Sequence, residues 1–76
     1  MAKKSKDSSA VYKVIEIVGT STVSWADAAA NGVKAAARSI RDLRVAEVDK
    51  LDVKIEGTKV TYRAKLKVSF KYHGDD

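Results

Sequence analysis

The sequence predicts an α+β domain of order βαββ, a three-stranded antiparallel sheet wrapped around one long helix. Three observations predict it. Residues 59–72, KVTYRAKLKVSFKY, alternate polar and apolar at every step, the period of a strand with one covered face. Residues 25–43 repeat small and apolar side chains at helical spacing instead. EGTK at 56–59 sets Gly57 between two strand-like runs, which is a hairpin signal.

The first strand is VYKVIEIVGTS, residues 11–21, rich in Val, Ile and Tyr. Its GTS ending is too short for a phosphate loop and reads as the turn before the helix. Tyr12, Val14 and Val18 share one side of this strand and Val11, Ile15 and Ile17 the other. A strand apolar on both sides needs cover on both, which a second subunit would supply. Ser24 with Asp27 three residues on makes a capping box with Asp in place of Glu. The helix then runs over residues 25–41, with Trp25, Ala28, Ala29, Gly32, Val33, Ala36, Ala37, Ile40 and Leu43 on one stripe. Asn31, Lys34, Arg38 and Arg41 fall on its wet side. So many small residues let the helix lie close against its sheet. Trp25 reads as an anchor for the start of the helix rather than as a stacking platform.

The second strand, residues 44–56, carries a defect. Leu51, Val53 and Ile55 are odd-numbered, but Ala46 and Val48 before them are even. A phase change of one residue is what a β-bulge at Asp49 or Lys50 produces. Pairing Glu56 with Lys59 sets Ile55 opposite Val60, Val53 opposite Tyr62 and Leu51 opposite Ala64. Past the bulge, Val48 meets Leu66 and Ala46 meets Val68. The other face opposes Asp52 to Arg63 and Glu47 to Lys67, with Val45 beside Ser69. A fourteen-residue third strand extends about 45 Å. In so small a domain it must curl around the helix.

Seventy-six residues make one domain near the lower limit for folding alone. The expected layout is a disordered basic tail at 1–10, a domain at 11–73 and a short tail at 74–76. The absence of cysteine removes disulfides and thiolate chemistry, and the single histidine, His73, removes histidine metal clusters and Ser/His triads. Self-association is the support that remains. No apolar run approaches the roughly 20 residues of a membrane span, and no apolar segment follows the basic start, so the expectation is a cytoplasmic protein with no membrane partner. The net charge of +5 includes Lys3, Lys4 and Lys6 of the tail. Tyr62, Phe70 and Tyr72 alternate onto the face opposite Arg63 and Lys65, which argues against nucleic acid as a partner. With no nucleophile, base and orienter to assemble, an enzyme is not expected.

From Val11 to Tyr72 the chain resembles the dodecins, small βαββ proteins that assemble into hollow twelve-subunit spheres. The matching pieces are VYKVIEIVGTS, the Ala-rich helix, LRVAEV at 43–48 and YRAKLKVSF at 62–70. The resemblance implies a homo-oligomer of twelve subunits that binds or stores a small ligand. Flavin-binding members read WFEV where this chain reads Val45-Ala46-Glu47-Val48, and their tryptophan stacks on the flavin (riboflavin or FMN). Their glutamine, in a phrase like YQVTLKVGF, bonds the ring edge where this chain has Arg63. Their frequent RG stands here as Asp52-Val53. Val45 offers no π-surface and Arg63 offers donors only, so the flavin site is degenerate and weak or no flavin binding is expected. Glu47 and Asp52 fall near the same pocket. The chain is more similar to the subgroup without the flavin pair, for which the resemblance implies calcium.

Calcium takes six to eight oxygen ligands, which no single carboxylate supplies. In a symmetric assembly one carboxylate per subunit becomes a ring. Glu16, Glu47, Asp49 and Asp52 are the candidates, Glu16 because it interrupts an otherwise apolar strand; an ordinary ion pair is the competing role of each. Arg63 opposite Asp52 is likewise either a ligand grip or a cross-strand pair. Lys65, Lys67 and Lys71 line a ligand channel or simply keep one strand face in solvent, where they also guard an exposed edge.

Overall fold

A computed structural model describes residues 10–72. Residues 1–9 of the tail expected at 1–10, the tail expected at 74–76, and His73 lie outside the described residues. The order is β1 (Tyr12–Ser21), α1 (Trp25–Ser39), β2 (Leu43–Glu56) and β3 (Lys59–Lys71). The three strands form one antiparallel sheet in the order β1-β3-β2. β3 is therefore the central strand, and its lysines guard no edge. It is the longest perfectly alternating segment because both of its neighbours must read it.

The β2–β3 register is the one the sequence predicts, from Glu56 opposite Lys59 to Ala46 opposite Val68. One register shift falls between Val48 and Lys50, which makes Asp49 the extra residue of the bulge. A second shift, between Leu43 and Val45, was not legible in the pattern. It moves Leu43 to the helix side, opposite Phe70, while Val45 stays opposite Ser69 on the other face. Gly57 takes φ 63°, at the first central position of the two-residue turn between β2 and β3, where a side chain would be strained.

The turn into α1 differs from a simple capping box. Ser24 Oγ accepts the Asp27 N–H at 3.0 Å, as a cap should. The Asp27 carboxylate turns away to accept the Ser21 hydroxyl at 2.7 Å. Ser21 Oγ in turn accepts the Val23 N–H at 2.9 Å. Ser21, the last residue of β1, is buried and acts as the hub of the turn. The GTS segment thus belongs to the strand rather than to the turn. At the other end α1 stops at Ser39, two residues short of the predicted end. Asp42 adopts φ 60°, which folds the chain back at once into β2. Leu43 does pack against the core, but from β2 and not from the helix.

The core is small. Ala28, Ala36, Ala64, Leu66 and Val68 are the buried apolar residues among those described, with Ile15, Ile17, Ala29, Val33 and Leu43 packed around them. The helix lies over β1 and β3 and touches β2 least. The helix side of β2 is consequently bare, with Val48, Leu51, Val53 and Ile55 exposed. Tyr12, Val14 and Val18 are exposed on the opposite face of β1. The radius of gyration is 15.8 Å, against about 11 Å for a compact chain of this length.

Helix and strand touch backbone to backbone at Gly19. A Cβ there would lie 2.0 Å from the Ala28 carbonyl oxygen and 2.9 Å from the Gly32 nitrogen. A Cβ at Gly32 would meet Leu66 Cδ1 at 3.1 Å, a side-chain atom that can move. Gly19→Ala is therefore expected to destabilise the fold by about 3 kcal/mol or more. Gly32→Ala should stay within about 1 kcal/mol of the parent, because alanine's helix propensity offsets the tighter contact. Thermal unfolding of both variants checks the ordering, and equal losses would refute it.

Candidate functional site

Alternation sends Thr61, Arg63, Lys65, Lys67, Ser69 and Lys71 of β3 to the face of the sheet away from α1. Residues of β1 and β2 complete cross-strand rungs around them. Thr20, Arg63 and Asp52 form one rung, and Val18, Lys65 and Lys50 the next. Glu16, Lys67 and Glu47 follow, then Val14, Ser69 and Val45. This helix-free face holds most of the candidate site residues: Glu16, Val45, Glu47, Asp52 and Arg63.

The Arg63–Asp52 pair is bidentate, Nε donating to Oδ1 at 2.7 Å and a terminal guanidinium nitrogen to Oδ2 at 2.9 Å. Those hydrogen bonds hold the Asp52 carboxyl below its usual range, with the guanidinium's charge adding to them and partial desolvation opposing. Asp52 raises Arg63 in return. The cross-strand ion pair, one of the two roles open to Arg63 in the sequence, is thus formed. Trp25 ties the same rung to the helix: its indole N–H donates to the Asp52 carbonyl at 3.0 Å, and its ring meets Tyr62 edge-on at 5.1 Å. This anchor is half-exposed, and its partner Asp52 was not foreseeable from spacing along the chain.

Val45 and Arg63 do not meet. Ser69, opposite Val45, stands six residues along β3 from Arg63, which separates the two positions by about 20 Å. Within one chain they cannot touch a single ring system. Glu16 and Glu47 stand on one rung with Lys67 between them, two strand spacings or about 10 Å apart. Glu16 leans instead to Lys65 Nζ, at 3.6 Å. Asp49 sits in the bulge. Among the described residues no three His, Cys, Asp or Glu side chains converge in a way that could hold a metal.

The sequence reading passed over Lys50, because the bulge admitted either Asp49 or Lys50 as the extra residue. The register puts Lys50 directly opposite Lys65. Nor did it find the hollow of about 290 Å³ at the end of α1, lined by Lys13, Ile40, Arg41, Phe70, Lys71 and Tyr72. No helix among the described residues is long and apolar enough to cross a membrane.

The dodecin family model matches residues 11–73, the span of sheet and helix together. The chain belongs to the dodecin family. A calcium dodecin of Mycobacterium tuberculosis is 53% identical over 62 residues, covering 80% of this chain and 87% of that protein. The crystal structure of that organism's calcium dodecin, described as calcium-chelating with a novel calcium-binding site, matches at TM-score 0.78 and 49% identity, over 87% of this chain and 96% of that one. Dodecin from Streptomyces coelicolor matches at TM-score 0.81 and 33% identity over the same shares of the two chains. Dodecin from Streptomyces davaonensis matches at 0.79 and 26%, over 84% and 96%. The βαββ dodecin fold therefore persists in relatives only a quarter to a third identical.

A lowered Asp52 carboxyl contributes stability above its unfolded value and loses that contribution as pH falls through the folded one. Arg63→Gln should return Asp52 to the ordinary aspartate range. The stability gap between parent and variant should be present at neutral pH and close in strong acid. Carbon-detected NMR titration of the Asp52 side chain checks this, and an unchanged midpoint in the variant would show that Arg63 is not the cause.

Proposed function

We propose that the chain is one subunit of a hollow homododecamer that binds or stores a small ligand, and that its residues suit calcium rather than a flavin. On this reading the assembling domain runs over residues 11–73, between tails at 1–10 and 74–76, and the protein is a binding protein and not an enzyme. What carries the ligand assignment is the state of the two flavin positions. Val45 has no aromatic face, and Asp52 engages the Arg63 guanidinium through Nε and one terminal nitrogen. A flavin ring would find neither a stacking partner nor a free acceptor there.

Assembly is supported by the surfaces the fold leaves bare. Val48, Leu51, Val53 and Ile55 on one face of β2, and Tyr12, Val14 and Val18 on the other face of β1, form apolar stripes that a monomer would leave wet. Leu66 and Val68 are the largest side chains fully buried among the described residues, so a lone subunit has little to hold it. Copies meeting on these stripes complete the core. They also bring carboxylates from different subunits together around symmetry axes, whereas the described residues of one chain gather no such cluster. Glu16, Glu47 and Asp49 are the residues assigned to calcium. The calcium dodecin relative, at 53% identity, favours that ion.

Native mass spectrometry of the protein as purified tests the assembly, with a mass near twelve times 8.3 kDa expected. Calcium should add to that mass and be removed by a chelator. Glu16→Gln, Glu47→Gln or Asp49→Asn should weaken calcium binding about tenfold for each carboxylate that is a ligand. Riboflavin and FMN should leave the mass unchanged. A monomer would refute the assembly, and flavin-sized additions without calcium would reverse the ligand assignment.

A further inference from the structure

We propose that Lys50 and Lys65 form a seat for a small oxyanion of the phosphate type on the helix-free face of the sheet, at the β-bulge. Opposite charges meet across the neighbouring rungs, Asp52 with Arg63 on one side and Glu47 with Lys67 on the other. The rung between them breaks the rule. Lys50 faces Lys65 as its direct cross-strand partner, an arrangement that destabilises a ladder when nothing sits between the two charges.

Two of the carboxylates around this rung are engaged. The Asp52 carboxylate is engaged at both oxygens by Arg63. Glu16 leans to Lys65 at 3.6 Å, and Glu47 stands opposite Lys67. Beside the four cations, Lys50, Arg63, Lys65 and Lys67, stand four carboxylates, Glu16, Glu47, Asp49 and Asp52, and ion pairs join Arg63 to Asp52 and Lys65 to Glu16 but none reaches Lys67 or Lys50. No ion pair joins it to Asp49 or to any other described residue. Lys65 still has donors to offer, since an ammonium carries three and Glu16 takes one direction. An oxyanion above the rung accepts from both lysines and turns their repulsion into two charge-assisted hydrogen bonds.

The bulge gives the seat its shape. Asp49, the extra residue, interrupts the ladder beside Lys50 and sharpens the local twist, which re-aims the side chain that follows. Local pairing rules are broken where a site requires it, and this rung breaks one. The seat draws its donors from Lys50 and Lys65, while Glu16 and Asp49, assigned above to calcium, border it.

The test is calorimetric titration of the assembled protein, as purified, with inorganic phosphate at low ionic strength. Binding is expected in the parent and in Lys50→Arg. A loss of about tenfold is expected in Lys50→Gln and in Lys65→Gln. Lys59→Gln, on the same face at the far end of β3, should bind phosphate like the parent. An equal loss in Lys59→Gln would mean diffuse surface charge and overturn the seat. So would absence of phosphate binding in a parent whose assembly, followed by native mass, loosens in Lys50→Gln, because the oxyanion would then be a carboxylate of a neighbouring copy. An intact twelve-subunit mass for Lys50→Gln separates loss of the anion from loss of the fold.

Discussion

The architecture depends on one close approach, the backbone of Gly19 against the backbone of α1 at Ala28 and Gly32. A Cβ at Gly19 has no room beside the Ala28 carbonyl. Because the strand there has no side chain and the helix presents Ala28 and Gly32, α1 settles directly on β1 and on Ala64 of β3. Close-packed interiors tolerate little adjustment at such a point. Once the helix is seated over those two strands it cannot also cover β2. The apolar helix side of β2 is left bare as a geometric consequence, and the proposed assembly rests on it.

Much of this was legible in the residues. Strict alternation in 59–72 and the apolar matches across the hairpin determine the register, because a slip of one residue would turn every apolar side chain to the wrong face. The phase change between Val48 and Leu51 announced the bulge for the same reason. What escaped were features without a period. The left-handed turn at Asp42 ended the helix early while Ile40 and Leu43 still matched its stripe, and periodicity cannot tell a last helical turn from a strand that feeds the same core. That β3 lies between the other two strands is a choice of topology, which alternation alone leaves open.

The candidate site was less legible than the fold, for a physical reason. Resemblance names positions, but their partners are set across the sheet. Arg63 in isolation is a plausible grip for an acidic ligand; opposite Asp52 it is half of a bidentate pair whose backbone is also held by Trp25. Glu16 and Glu47 looked like separate carboxylates and turn out to share a rung with Lys67 between them. The roughly 20 Å between Val45 and Arg63 carries the same lesson. Positions that a resemblance groups into one site need not be neighbours in one chain, and these two are not.

The two irregularities of β2 reconcile demands that a regular strand cannot meet. Leu43, Ala46, Val48, Leu51, Val53 and Ile55 all face the helix side, although two are even-numbered and four odd. A regular strand with that sequence would have to expose one set or the other. The shift between Leu43 and Val45 lets Leu43 enter the core while Val45 turns outward, and the shift at Asp49 restores the odd set. The same two steps collect Val45, Glu47, Lys50 and Asp52 on the helix-free face. The bare apolar face and the charged face of β2 are therefore produced by one device. Straightening either bulge would spoil both.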